Sequence, residues 1–222
     1  MSINIAELNA ALTLHTYSRS SAAFRVRIAL NLKGLKPEQS FVHLLNHEQS
    51  SDTYRKLNPQ AIVPTLVHDG RPLGQSLAII EYLDEIVPEP PLLPRDPFGR
   101  ARVRQIAYAV ACEVHPLCNL RVREYLRDDM KWGESELAEW QHHWIGMGLS
   151  AVEQLAGGGQ FCHGDAPTLA DICLIPQLAN ARRANLDLSP YSRLLRIEKT
   201  AFELAAFRDA LPENQPDATP SA

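Results

Sequence analysis

The stretch Val87 to Pro97, VPEPPLLPRDP, places five prolines in eleven residues. Proline has no amide hydrogen and a fixed φ, so neither a helix interior nor a central strand accepts such a run. It reads as a linker over residues 88–97 joining two domains of different make-up. Upstream, over residues 1–87, strand-like and helix-like segments alternate. Leu12–Tyr17 is a short β-prone run, and Ser21–Lys33 is a helix with Ala22, Val26, Ala29 and Leu30 on one face. Glu38–Leu45 is expected as a second strand. Pro64–His68 and Pro72–Leu73 flank the turn Asp69-Gly70, a hairpin signal. Ser76–Ile86 carries Ile79, Leu83 and Ile86 at helical spacing. The order predicts a mixed sheet flanked by helices, an α/β domain.

Downstream, the strong periodicity is all helical. Val103, Ala107, Val110, Val114 and Leu117 form an apolar stripe, predicting one long helix from about Phe98 to Arg127. A second helix is expected over Glu134–Leu155, with Gly157, Gly158 and Gly159 as its C-cap residues. Thr168-Leu-Ala-Asp171 resembles a capping box opening a third helix, and short helices follow within Ser192–Ala210. An all-α domain over 98–211 results. The polar, proline-rich tail over 212–222 is expected to be disordered.

Bulk properties exclude several classes. A formal net charge of −4 over 222 residues makes no electrostatic case for nucleic acid or an anionic membrane. No run approaches the roughly 18 apolar residues that span a bilayer, and the N-terminus lacks a signal-peptide pattern. Cys112, Cys118, Cys162 and Cys173 show no CxxC and no paired spacing. Neither a disulfide framework, a zinc site nor a thioredoxin-type redox role is expected, and reduced thiols suit the cytoplasm. His142-His143 has no metal-ligand spacing either.

Three segments carry candidate chemistry. Arg19-Ser20-Ser21 stands where the first strand gives way to a helix, whose N-terminus offers free N–H groups and partial positive charge. These residues either hold a thiolate there or simply cap the helix. Val63-Pro64 opens a strand, as a cis-proline turn that frees backbone groups for an extended ligand or as a trans edge proline. Gln75-Ser76 begins the next helix, a second anion site or a second cap.

In this order, the three segments resemble the glutathione-binding domain of glutathione transferases. Ser20-Ser21-Ala22-Ala23-Phe24-Arg25-Val26-Arg27-Ile28-Ala29-Leu30 is similar to the signature of the zeta class, the maleylacetoacetate isomerases. So are Leu57-Asn58-Pro59-Gln60, Gln75 to Leu83, and Pro176-Gln177-Leu178-Ala179-Asn180-Ala181. The resemblance implies a thioredoxin-like N-terminal domain, an all-α C-terminal domain, a homodimer and glutathione as cofactor. It assigns Ser20 or Ser21 to the glutathione sulfur, Val63 to its cysteinyl backbone, Gln75 and Ser76 to its γ-glutamyl carboxylate, and Gln60 to the same tripeptide. Where the family motif usually has cysteine after the paired serines, this chain has Ala22.

The helical half adds arginines. Continuing the stripe through Leu117 puts Arg121 at the next inward position, and Leu169, Ile172, Pro176 and Ala179 lead to Arg183. A buried guanidinium needs a carboxylate partner or an opening to water. An internal salt bridge with Glu113 or Glu124, or a stripe that surfaces at its end, answers as well as a ligand. His115 and Asn119, four apart on the expected long helix, join the cofactor-binding set as polar contacts. If Arg19, Arg121 and Arg183 face one cleft, they clamp a dianion. The resemblance supplies one, a maleyl dicarboxylate. It implies cis–trans isomerisation through reversible addition of the glutathione sulfur. A transferase conjugating or dehalogenating small electrophilic acids is the first alternative, and a non-catalytic binding protein on the same fold is the second.

Overall fold

The computed structural model describes residues 4–218. Its first unit is built on strands β1 (Leu12–Thr16), β2 (Glu38–Phe41), β3 (Thr65–His68) and β4 (Arg71–Gly74) in the order β2-β1-β3-β4. β1 runs parallel to β2 and antiparallel to β3, and β3 and β4 form the hairpin. The expected mixed sheet is present. Along β1, Leu12, Leu14 and Thr16 are buried while Thr13 and His15 are half-buried, the period-2 alternation of a strand. Asp69 and Gly70 both have positive φ, at 49° and 72°, as a two-residue hairpin turn requires.

Helix α1 (Ile5–Ala11), capped by Asn4, leads into β1. Helices α2 (Ser21–Leu32), α3 (Asp52–Leu57) and α4 (Ser76–Ile86) complete the layers, with α2 packed on α4. Buried Lys33, just past α2, donates to Asp84 Oδ1 on α4 (2.6 Å) and to the Pro90 carbonyl (2.5 Å), fixing the start of the proline-rich run. β2 stops four residues short of its expected end, because the chain turns at Leu44–Asn46 and Glu48–Ser50 through His47 at φ 56°.

The second unit, Leu92–Glu203, is all helical. It holds α5 (Pro97–Tyr108), α6 (Leu120–Asp128), α7 (Glu134–Leu155), α8 (Leu169–Arg183) and α9 (Ser192–Ala201), with α5 and α9 packed on α8. The long helix expected to run from Phe98 to Arg127 is broken. A π-helical turn over Ala109–Val114 follows α5, then a 3-10 turn at Pro116–Cys118, and Asn119 caps a new helix. Pro116 has no amide hydrogen and its ring crowds the preceding turn, so the α-helical phase cannot continue. The triple glycine does not cap α7 either. Ala156 closes that helix in an extended conformation, and none of Gly157, Gly158 or Gly159 has positive φ. Gly159 instead lets the Gly164 carbonyl approach a point where a Cβ would lie 2.3 Å from its oxygen.

The chain's end departs from expectation too. The segment from Leu204 groups with the first unit rather than the helical one. Within it, α10 (Ala205–Arg208) buries Phe207 completely, and Asn31 Nδ2 on α2 donates to the Ala206 carbonyl at 2.9 Å. Pro212–Asn214 forms a 3-10 turn, and Gln215 is buried with its amide donated to the Asp209 and Leu211 carbonyls. The tail is therefore ordered through residue 218; residues 219–222 lie outside the described part. Composition misleads here because a few side-chain bonds and one phenyl ring hold a polar segment down.

Candidate functional site

Strand register brings the three candidate segments of the first unit to one end of the sheet. His15 pairs with Thr65, and Thr65 with Gly74. The residues after β1, those before β3 and those after β4 therefore leave the sheet at the same edge. Those are Arg19-Ser20-Ser21, Gln60 to Pro64, and Gln75-Ser76. Side-chain contacts agree with the topology. Tyr17 and Val63 share an apolar cluster with Val42 and Tyr54. Arg25 Nη1 donates to Ser76 Oγ (3.4 Å), and Gln75 Nε2 donates to Gln60 Oε1 (2.9 Å).

At the first segment, Ser20 is the N-cap of α2, its Oγ accepting from the Ala23 amide at 3.2 Å. Capping and ligand binding do not exclude one another, since a hydroxyl that accepts a backbone N–H keeps its own proton to donate. Ser21 is buried, Ser20 half-buried and Arg19 exposed. Ala22, half-buried, holds the position where the resembling motif has cysteine.

At the second, the Val63-Pro64 bond is cis. The loop before it is shaped by Asn58, which donates to the Ile62 carbonyl (3.0 Å) and to Thr65 Oγ1 (2.9 Å) and accepts from the Gln60 amide (3.0 Å). Tyr54 Oη donates to the same Ile62 carbonyl at 2.8 Å, and burial pushes its phenol pKa up. With Ile62 occupied in this way, Val63 keeps a backbone N–H and C=O that have no hydrogen-bond partner among the described residues. At the third, Gln75 is exposed, with φ at 67°, a conformation rare for a residue with a long side chain. Ser76, buried, starts α4.

The helical unit places its candidates differently from the sequence argument. Arg121 and Arg183 are exposed, not inward. Arg121 falls in the first turn of α6, whose phase was reset at Pro116. On α8 the burial ends at Ala181, so Arg182 and Arg183 surface, with Arg183 Nη2 reaching Asn180 Oδ1 at 3.3 Å. Arg182 forms a two-pronged ion pair with Glu198. His115 is half-buried at the π-helical break, and Asn119 Oδ1 accepts from the Val122 amide at 3.2 Å as the α6 cap. These two do not share one helix. Among the described residues, no cluster has the composition of a metal site, and no helix is long and apolar enough to cross a membrane.

Helix α2 also carries two arginines inside the motif, Arg25 and Arg27. Both are almost fully buried on α2. The sequence marks them only as two cations in an otherwise mostly apolar helix; the burial of that helix on nearly all sides comes from the structure. A cavity of about 230 Å³ lined by Leu66, His68, Arg71, Leu73 and Tyr82 touches none of the candidate residues.

Comparison with known proteins identifies the family. Residues 14–91 match the model for the glutathione S-transferase N-terminal domain, and residues 120–212 match the C-terminal domain model. The maleylacetoacetate isomerase of Pseudomonas aeruginosa is 48% identical over 214 residues, covering 94% of this chain and 99% of that one. A holo structure of maleylpyruvate isomerase, described as a bacterial zeta-class glutathione S-transferase, superposes with a TM-score of 0.91. It is 44% identical and covers 93% of this chain and all of its own. A maleylacetoacetate isomerase from Anaeromyxobacter dehalogenans superposes at 0.85 with 46% identity, covering 95% of this chain and 98% of its own. That structure holds dicarboxyethyl glutathione and citrate in its active site, and another of the same enzyme holds glutathione.

Proposed function

This chain belongs to the glutathione S-transferase family, in its zeta-class isomerase branch, and on that premise we propose that it isomerises a maleyl dicarboxylate from cis to trans. The substrate is maleylacetoacetate or maleylpyruvate, and glutathione is the cofactor. The observation that carries the reading is the convergence of Ser20, Val63, Gln60, Gln75 and Ser76 at one end of a single sheet.

These residues fit an extended anionic tripeptide. Glutathione supplies, when bound, the nucleophilic sulfur. Ser20 keeps a proton to donate to that sulfur, and the N-terminus of α2 places partial positive charge beside it, so the thiolate is favoured. Ser21 is the second hydroxyl at the same spot. Val63 offers one donor and one acceptor to a peptide unit. Ser76 accepts from Arg25 and so keeps its own proton to donate at the start of α4, where a carboxylate is stabilised. Gln75 and Gln60 hold one another and leave an amide edge each for the same ligand. Since the nucleophile belongs to the cofactor, Ala22 in place of cysteine leaves isomerisation intact.

Arg19, Arg121 and Arg183 are exposed guanidinium groups suited to bidentate recognition of carboxylates, and we assign substrate recognition to them. His115 and Asn119 stay in the assignment as polar contacts, Asn119 through its amide N–H because its oxygen is committed to the cap. The free cysteines favour a reducing, cytoplasmic setting, and family membership favours a homodimer.

The experiment supplies maleylacetoacetate or maleylpyruvate with substoichiometric glutathione and follows both product and free thiol. Complete conversion to the trans isomer without thiol loss, slowed in Arg183→Ala, is the expected result. Stoichiometric thiol consumption, or conjugation of a chlorinated acid with no isomerisation, would replace this reading with that of a conjugating transferase.

A further inference from the structure

Arg27 is buried to 3% exposure on α2, yet every hydrogen bond its guanidinium makes goes to a neutral oxygen. Nη1 donates to Thr16 Oγ1 (3.4 Å) and to the Tyr17 carbonyl (3.2 Å), Nη2 to the Ser18 carbonyl (3.0 Å), and Nε to the Ala210 carbonyl (3.1 Å). Its acceptors come from two places far apart in sequence, the turn that leads into α2 and the end of the chain. Asp217 closes the loop from the other side. Its Oδ2 accepts from the Ser18 amide at 2.8 Å, and its backbone carbonyl accepts from Ser18 Oγ at 3.4 Å.

The turn so held is the one that presents Arg19 and Ser20. The Tyr17 carbonyl accepts from the Ser20 amide (3.0 Å) as well as from Arg27, so the same oxygen closes the turn and anchors it. Arg27 lies two helical turns beyond Ser20, on the same face of α2. We propose that Arg27 and Asp217 are positioning residues for the sulfur-binding turn, with the segment after Leu204 serving as a strap that holds Tyr17–Ser20 from behind.

This proposal rests on the assignment of that turn to the glutathione sulfur. Burial lowers the Arg27 pKa to about 10 while Asp217 opposes the shift, which puts the carboxylate's charge within reach of the guanidinium. The strap is seated independently of Asp217, through buried Phe207 and through the Asn31 and Arg27 side chains of α2, which donate to the Ala206 and Ala210 carbonyls. Loss of the Asp217 side chain therefore leaves the strap in place and frees only the turn.

The test uses the full chain with Asp217→Ala, Asp217→Asn and Arg27→Lys. Glutathione affinity is read by calorimetry, kcat and KM by turnover, and stability by urea unfolding. Asp217→Ala is expected to weaken glutathione binding about five- to tenfold, the loss of one partly buried hydrogen bond felt at the site. Asp217→Asn, whose amide oxygen can still accept from Ser18, restores most of it. A role in stability alone would lower the unfolding midpoint and leave the affinity and KM unmoved. Unchanged affinity in Asp217→Ala overturns the proposal, and the Asp217 pair decides the matter even if Arg27→Lys does not fold. Wild-type protein that binds no glutathione strikes the site assignment itself, whereas normal binding in wild type and variants alike strikes only the strap.

Discussion

Gln75 Nε2 donates to Gln60 Oε1 at 2.9 Å, joining the loop before β3 to the residue that opens α4. Gln75 makes that bond from a backbone held at φ 67°. Such a conformation costs on the order of 1–3 kcal/mol for a residue with a Cβ and persists where the surroundings or a function hold it. Gln75→Gly separates the two effects. Glycine relieves the backbone, so thermal stability should be equal or higher, while loss of the amide weakens glutathione binding about tenfold. Calorimetry alongside a melting curve reads both, and unchanged affinity would remove Gln75 from the site.

The paired serines should separate as cleanly. Ser20 caps α2 through the Ala23 amide, and Ser21 follows it as a buried first residue of the helix. Ser20→Ala is expected to lower stability by about 1 kcal/mol, the usual loss for a cap, and to slow isomerisation as well. Ser21→Ala should leave the cap bond in place and act mainly on kcat. Equal stability losses in urea would show that the capping geometry is not confined to Ser20.

Sheet and hairpin were legible because each rests on local chemistry. The alternation in Leu12–Thr16 and the positive-φ pair Asp69-Gly70 act over a few residues. The three candidate segments could be placed for the same reason, since each sits at the end of an element. What was not legible depends on phase and on distance. Arg121 was projected inward along a helix that Pro116 interrupts, and a π-helical turn leaves little mark on an apolar period. Arg183 was projected along a stripe that surfaces at Arg182. The clamp between Arg27, Ser18 and Asp217 joins residues nearly the whole chain apart, and no local pattern predicts which carbonyls a buried guanidinium will find.

The π-helical turn makes a prediction of its own. A Cβ on Gly148 of α7 would lie 2.0 Å from Val114 Cγ2, and Val114 is buried at the end of that turn. Alanine usually stabilises a helix interior over glycine by about 1 kcal/mol. Here overpacking should win, and Gly148→Ala is expected to cost about 1–3 kcal/mol net. Adding Val114→Ala removes the clashing methyl groups, so the double variant should be more stable than the sum of the single losses predicts. Additive losses in chemical denaturation would mean that the two positions do not meet.

Asp171 lies fully buried in the first turn of α8. Its carboxylate accepts from the Cys162 amide (2.7 Å), the Thr168 amide (2.8 Å) and the Thr168 hydroxyl (3.0 Å). Burial nevertheless raises its pKa above the ordinary carboxyl value, with those hydrogen bonds opposing the shift. The folded protein then keeps this proton at pH values where the unfolded chain has lost it. Its contribution to stability is thus full below the unfolded-state value and is lost as pH rises through the folded-state value. Asp171→Asn removes the charge, but its NH2 group must face one of the two backbone donors and leave it buried without an acceptor. The variant should be less stable at neutral pH by about 1–3 kcal/mol, and its stability should change less across the acid range than that of wild type. Urea unfolding from mildly acidic to neutral pH measures both quantities. A variant with undiminished stability and the wild-type slope would place the pH dependence elsewhere in the chain.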